Sequence, residues 1–150
     1  MDMYFLSILG VIVLSGFLLA LGNADATWYL DVPSLLLIVL FDVTMLLGAG
    51  LLKDFNRAFR LIVSTKEESA DLLRRSIEAV CLARRVTITA GVFTLVAQLI
   101  LILGRLDEPS KLGPSLAVGM LTLLYASAVT LILLPLESGL KLKLQKLLHE

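Results

Sequence analysis

The chain has 150 residues, of which 58% are hydrophobic, and its mean hydropathy is +0.93. Thirteen basic and thirteen acidic residues give a formal net charge of zero, so charge gives no sign of a nucleic-acid partner. These values exclude an ordinary soluble domain and favour a membrane protein that is embedded in lipid.

Four apolar stretches are long enough to cross a bilayer, since a helix needs roughly 20 apolar residues to span about 30 Å of hydrocarbon. Only the second stretch contains a charged residue, Asp42. The chain is therefore predicted to be one all-α membrane domain of four transmembrane helices. The four spans are residues 4–21, 32–52, 86–103 and 112–136.

The first two spans are predicted to form a helical hairpin. Residues 4–21 lack a basic leader, which favours a retained span over a cleaved signal peptide. Trp28 and Tyr29 lie in the following turn, where an interfacial aromatic belt is expected. Pro33 suits the first turn of the second helix, because its missing N–H would have no partner there.

Basic residues predict the orientation of the chain. Eleven of the thirteen fall in residues 53–85 or 137–150, which the positive-inside rule assigns to the cytoplasm together with both termini. Residues 53–85 are predicted to be helical and to continue into span three, with Cys81 as a small buried residue. Residues 137–150 are predicted to be an amphipathic helix that lies on the inner membrane surface or packs on the cytoplasmic helices.

The sequence contains no pattern typical of an enzyme. His149, the one histidine, lies at the end of the tail, and Cys81 is the one cysteine. No cluster of metal-ligating residues and no glycine-rich phosphate loop is present, so we expect neither catalysis nor a metal or organic cofactor.

Small and polar residues recur along spans three and four at helical spacing. One interpretation is close helix packing, because small residues let membrane helices approach and hydroxyl groups can bond across the interface. The other is that both faces line an ion path in the centre of an oligomer. The residues are Thr87, Gly91, Thr94 and Gln98 in span three, and Ser115, Gly119, Thr122, Ala126 and Thr130 in span four.

Asp42, Thr94 and Thr122 are predicted to lie at one depth. Each is about ten residues from the outer end of its span, or about 15 Å below the outer surface. An acidic residue inside a membrane is costly and is often functional. Two hypotheses remain open for Asp42: a neutral acid hydrogen-bonded to Thr94, Gln98 or a backbone carbonyl, or a group that binds a proton or cation.

Several segments resemble one family. The run LGPSLAVGMLTLLY at residues 112–125, followed by LPL at residues 134–136, resembles the last transmembrane helix of flagellar stator subunits of the MotA type. The DVPS run at residues 31–34 resembles the family's second span, and residues 90–100 resemble its third. The chain thus resembles the MotA/TolQ/ExbB proton channel family over most of its length.

The resemblance implies a homopentamer in the bacterial inner membrane, with helices three and four around a pore. A single-span partner similar to MotB, TolR or ExbD would occupy that pore, and flow of H+ or Na+ would drive rotation or force. Thr94 and Thr122 match the family's ring threonines, and Pro135 matches a proline linked to conformational coupling. The chain differs from flagellar members in its short segment 53–85 and in having Phe93 and Asp42 where glycines are usual.

Two other functions are compatible with the sequence. One is a partnerless homo-oligomeric membrane scaffold or closed channel, in which Phe93 and leucine side chains fill the axis. The other is a small four-span exporter that uses Asp42 as its proton-coupled site, although the position of this acid in span two and the basic segment 53–85 argue against it.

Overall fold

The computed structural model describes residues 31–63, 69–104 and 109–149, together with residues 9, 10 and 13. Across the three continuous ranges the chain forms four helices, which confirms the predicted all-α fold for this part of the protein. Span one at residues 4–21, Trp28 and Tyr29 lie outside the continuous ranges. The helices are α1 (Val32–Gly48), α2 (Leu52–Val63), α3 (Ala70–Leu103) and α4 (Pro109–His149).

Helices α3 and α4 form a long antiparallel pair, and each is long and apolar enough to cross a membrane. With 34 and 41 residues they are about 50 and 60 Å long, well beyond the roughly 30 Å of a hydrocarbon core. The predicted spans 86–103 and 112–136 are therefore parts of longer helices. The segment 137–150, predicted as a separate tail helix, continues α4 as far as His149.

Pro135 lies inside α4 and does not end it. Proline has no N–H, so the carbonyl of residue 131 loses its usual partner one turn later. Helix α4 nevertheless continues, because leucines on both sides of the proline are buried in the same cluster and outweigh that loss. These leucines are Leu133, Leu136 and Leu140.

Helix α1 begins as the sequence predicts, with Asp31 before its first turn and Pro33 within that turn. The Ser34 hydroxyl donates a hydrogen bond to the Asp31 carboxylate. The helix ends at Gly48 and not at residue 52 as predicted for span two, because the chain turns through Gly50, whose φ of 69° is readily adopted only by glycine. Helix α2 then leaves at 106° to α1. Among the described residues, two helices are thus long and apolar enough to cross a membrane, or three if the bent α1–α2 pair counts as one span.

The largest buried cluster lies at one end of the α3–α4 pair, which we call the basic end because it carries Arg84, Arg85 and Lys141. There α2 packs its buried face on both long helices, and the Lys143 ammonium group donates hydrogen bonds to the carbonyls of Leu61 and Ile62. Burial lowers the pKa of Lys143 from its usual 10.5. Cys81 of α3, predicted to be buried, is half-buried.

Candidate functional site

The small-residue stripes of α3 and α4 face each other within one chain. A Cβ atom placed on Gly91 would lie 2.5 Å from the Cβ of Ala126, closer than two non-bonded carbon atoms can approach. Further along the pair, a Cβ atom on Gly119 would lie 3.1 Å from the Cβ of Gln98. Glycine at both positions therefore lets the two backbones approach closely, as the helix-packing interpretation predicts.

The hydroxyl groups of these stripes are largely enclosed. Thr87 and Thr122 are fully buried and Thr130 is 7% exposed, whereas Thr94, Gln98 and Ser115 are half-buried. The buried hydroxyls of Thr122 and Thr130 donate to carbonyls of the preceding turn. In the single chain these two side chains therefore take part in packing between helices and do not line an open lumen.

Thr94 and Thr122 lie at the same level of the α3–α4 pair. The Gly91–Ala126 approach on one side and the Gln98–Gly119 approach on the other enclose this level. The Thr94 hydroxyl donates to the Ala90 carbonyl at 2.8 Å, so its oxygen keeps free acceptor capacity. Thr94 is thus the more accessible of the two threonines that the resemblance assigns to an ion path.

Asp42 meets Thr87 and not Thr94. The Thr87 hydroxyl lies 2.8 Å from the Asp42 carboxyl, and Thr87 is seven residues, or about 10 Å, nearer the basic end than Thr94. Counting residues from the ends of the spans misplaces Asp42 because the helices are offset. The Asp31 backbone N–H donates to the Tyr125 hydroxyl at 2.8 Å, so α1 begins beside the middle of the apolar part of α4.

The geometry around Asp42 accommodates two protonation states. Thr87 Oγ1 lies 2.8 Å from Asp42 Oδ2 and 2.9 Å from the Ala83 carbonyl oxygen, but a hydroxyl group has one proton to donate. If Asp42 is ionised, Thr87 donates to it; if Asp42 is protonated, it can donate to Thr87, which then donates to Ala83. Asp42 Oδ1 is enclosed and has no hydrogen-bond partner among the described residues. The arrangement can therefore hold or release a proton without moving its heavy atoms.

An ion-pair cluster that was not predicted from the sequence joins α3 to α4. Glu137, 6% exposed, accepts hydrogen bonds from Arg84 Nε at 2.9 Å and from Lys141 Nζ at 2.6 Å. Burial alone would raise the pKa of Glu137, but the hydrogen bonds and positive charges of Lys141 and Arg84 outweigh it and lower the pKa below the usual 4.5. The sequence could have indicated this pair, because the basic residue Arg84 lies just before the uncharged segment of α3 and the acidic residue Glu137 just after that of α4.

Phe93 and Pro135 are two further residues that the comparison with the family singles out. The ring of Phe93 packs edge-on against Phe41 of α1, with centroids 6.3 Å apart, and 63% of the residue is exposed. Pro135 is half-buried, two residues before Glu137. Within residues 31–63, 69–104 and 109–149, no group of three or more His, Cys, Asp and Glu side chains could hold a metal ion.

Comparison with known proteins gave no match. No family model matches the chain, and neither does any curated protein or solved structure. The resemblance to the MotA/TolQ/ExbB family therefore rests on the sequence segments quoted above.

Proposed function

We propose that this chain is a subunit of an ion-conducting membrane assembly of the MotA/TolQ/ExbB kind, and that Asp42 with Thr87 binds the transported ion. The observation that carries the proposal is the 2.8 Å contact between the Asp42 carboxyl and the Thr87 hydroxyl among apolar helices. A carboxyl group in such surroundings is costly, and residues of this kind usually serve a function. Because the contact accommodates both protonation states, H+ fits better than Na+.

In this proposal the ion path runs along α3 and does not pass between α3 and α4 of one chain, where the side chains leave no lumen. Thr94, half-buried with spare acceptor capacity, lies near the middle of the path, and Asp42 lies near its cytoplasmic end. The chain would form a homopentamer around a single-span partner and couple ion flow to rotation or force.

Proton flux through the native complex in lipid vesicles tests the role of Asp42. We expect Asp42→Asn to reduce flux by at least about tenfold, because an amide cannot bind and release the proton. Thr87→Ser, which keeps the hydroxyl, should retain most of the flux. The control is Asp71→Asn, which removes an exposed carboxyl from the first turn of α3 and should leave flux unchanged.

Equal flux in wild type, Asp42→Asn and Asp71→Asn would contradict a role for Asp42 in conduction. Subunit counting by native mass spectrometry tests the assembly separately. Several copies of this chain around a single-span partner would support the motor or channel, whereas copies of this chain alone would contradict it.

A second candidate is a homo-oligomeric scaffold or closed channel without a partner. It is supported by the Gly91–Ala126 approach and by the enclosed side chains of Thr122 and Thr130, which leave no lumen between α3 and α4. An assembly of this chain alone, with no proton flux in wild type, would favour this candidate over the first.

A further inference from the structure

Helix α2 has three distinct faces. Asp54, Ala58 and Leu61 form a buried face against the rest of the protein, and Arg57 neutralises Asp54 at 2.7 Å. A second, apolar flank is formed by Phe59 and Val63, which are 46% and 65% exposed. The third, which we call the basic flank, consists of Lys53, Asn56 and Arg60, all exposed. Spacings of three, four and seven residues keep each set on one side of the helix.

The depth of α2 follows from contacts at its two ends. The uncharged parts of α3 and α4 both end at the Arg84–Glu137 ion pair, which therefore marks the edge of the hydrocarbon layer. At its start, α2 follows Gly48, six residues or about 9 Å beyond Asp42, whereas Arg85 is about 3 Å beyond Thr87. At its end, α2 is held by Lys143, six residues or about 9 Å beyond Glu137.

Both ends of α2 thus lie within about 10 Å of the hydrocarbon edge, although the helix itself is about 18 Å long. It therefore runs across the direction of the membrane-crossing helices, consistent with its 106° bend from α1. The headgroup layer on each side of a bilayer is about 5–8 Å thick, so α2 lies in this layer or at its outer edge.

We propose that α2 binds anionic membrane lipids, with the phosphate headgroup on Lys53 and Arg60 and the acyl chains against Phe59 and Val63. Neither basic residue forms an ion pair with another described residue, so both charges are available to a ligand. Basic residues close to a membrane surface attract anionic lipids, and an adjacent apolar flank adds burial of hydrocarbon. This proposal depends on membrane insertion alone and is independent of ion conduction.

The test compares two lipids on the purified full chain in neutral detergent, with native mass spectrometry as the readout. Wild type should bind phosphatidylglycerol about tenfold more tightly than phosphatidylcholine, and Lys53→Gln/Arg60→Gln should lose most of that preference. Lys53→Arg/Arg60→Lys, which keeps both charges, should retain it. Melting of each variant without added lipid, followed by circular dichroism, checks that the fold is intact.

The matched control is Arg74→Gln/Arg75→Gln, which removes the same charge from exposed positions on α3. Arg75 is ten residues or about 15 Å further from the membrane than Arg85, beyond a Debye length of about 8 Å, so this variant should keep the preference within about twofold. The proposal would be overturned if the two double glutamine variants lost the lipid preference equally, or if wild type bound the two lipids equally. Displacement of the lipid by inorganic phosphate, or occlusion of the basic flank by a second copy of the chain, would also overturn it.

Discussion

Replacing Gly91 by alanine is expected to destabilise the chain by about 1–3 kcal/mol, even though alanine is the better helix former. The new methyl group would lie 2.5 Å from the Cβ of Ala126, and neither atom belongs to a side chain that can rotate away. The α3–α4 pair must therefore move apart along much of its length. Unfolding by SDS titration in mild detergent, followed by circular dichroism, measures the loss.

Two further glycines provide controls for this substitution. Gly48→Ala adds the same methyl group in α1, where nothing lies within 4 Å, so it should be neutral or slightly stabilising. Gly119→Ala should fall between the two, because the contacts are longer: the fixed Cβ of Gln98 at 3.1 Å and the Cδ1 of Leu95, which can rotate away, at 3.2 Å. If Gly91→Ala were no more destabilising than Gly48→Ala, α3 and α4 would not approach as closely as described.

A compensating change isolates the contact itself. Gly91→Ala combined with Ala126→Gly moves one methyl group from α4 to α3 and restores the space between them. The double variant should recover most of the stability that Gly91→Ala loses, with a coupling free energy of about 1–3 kcal/mol. Additive losses would mean that the two positions do not touch.

The sequence predicted the helical fold and the apolar parts of α3 and α4, because long uncharged stretches admit few other structures in lipid. The helix that contains span four continues past residue 136 as far as His149. Pro135 weakens the helix locally, but burial of Leu136 and Leu140 and the hydrogen bonds of Glu137 carry the helix onward. Local helix signals lose to tertiary packing at such a position.

The candidate site was predicted in part. Asp42 and Thr87 were both named from the sequence, but their pairing was not, because counting from span ends assumes that all helices begin at one level. The Asp31–Tyr125 hydrogen bond shows that α1 begins beside the middle of the apolar part of α4. Such an offset depends on how α1 packs against the α3–α4 pair, and the periodicity of the sequence does not determine that packing.

Removing the charge of Glu137 should have the other large effect on stability. Glu137→Gln keeps the size of the side chain but deprives Arg84 and Lys141 of their shared carboxylate, with an expected loss of about 1.5–3 kcal/mol at neutral pH. The lower part of this range is favoured because the Arg84 and Lys141 side chains are 28% and 55% exposed, so that water screens both charges. SDS titration of wild type and variant at neutral pH measures the difference.

The ion pairs of Glu137 also predict how the stability of the chain depends on pH. The pKa of Glu137 in the folded chain is below its usual 4.5, so the stabilisation is fully present above that value and is lost as the pH falls through the folded pKa. The stability difference between wild type and Glu137→Gln should therefore be constant from about pH 7 to about pH 5 and shrink towards about pH 3. Glu78→Gln, on the exposed side of α3, should cost little at any pH. A difference that stayed constant into acid would mean that the Glu137 carboxylate does not stabilise the α3–α4 pair through its charge.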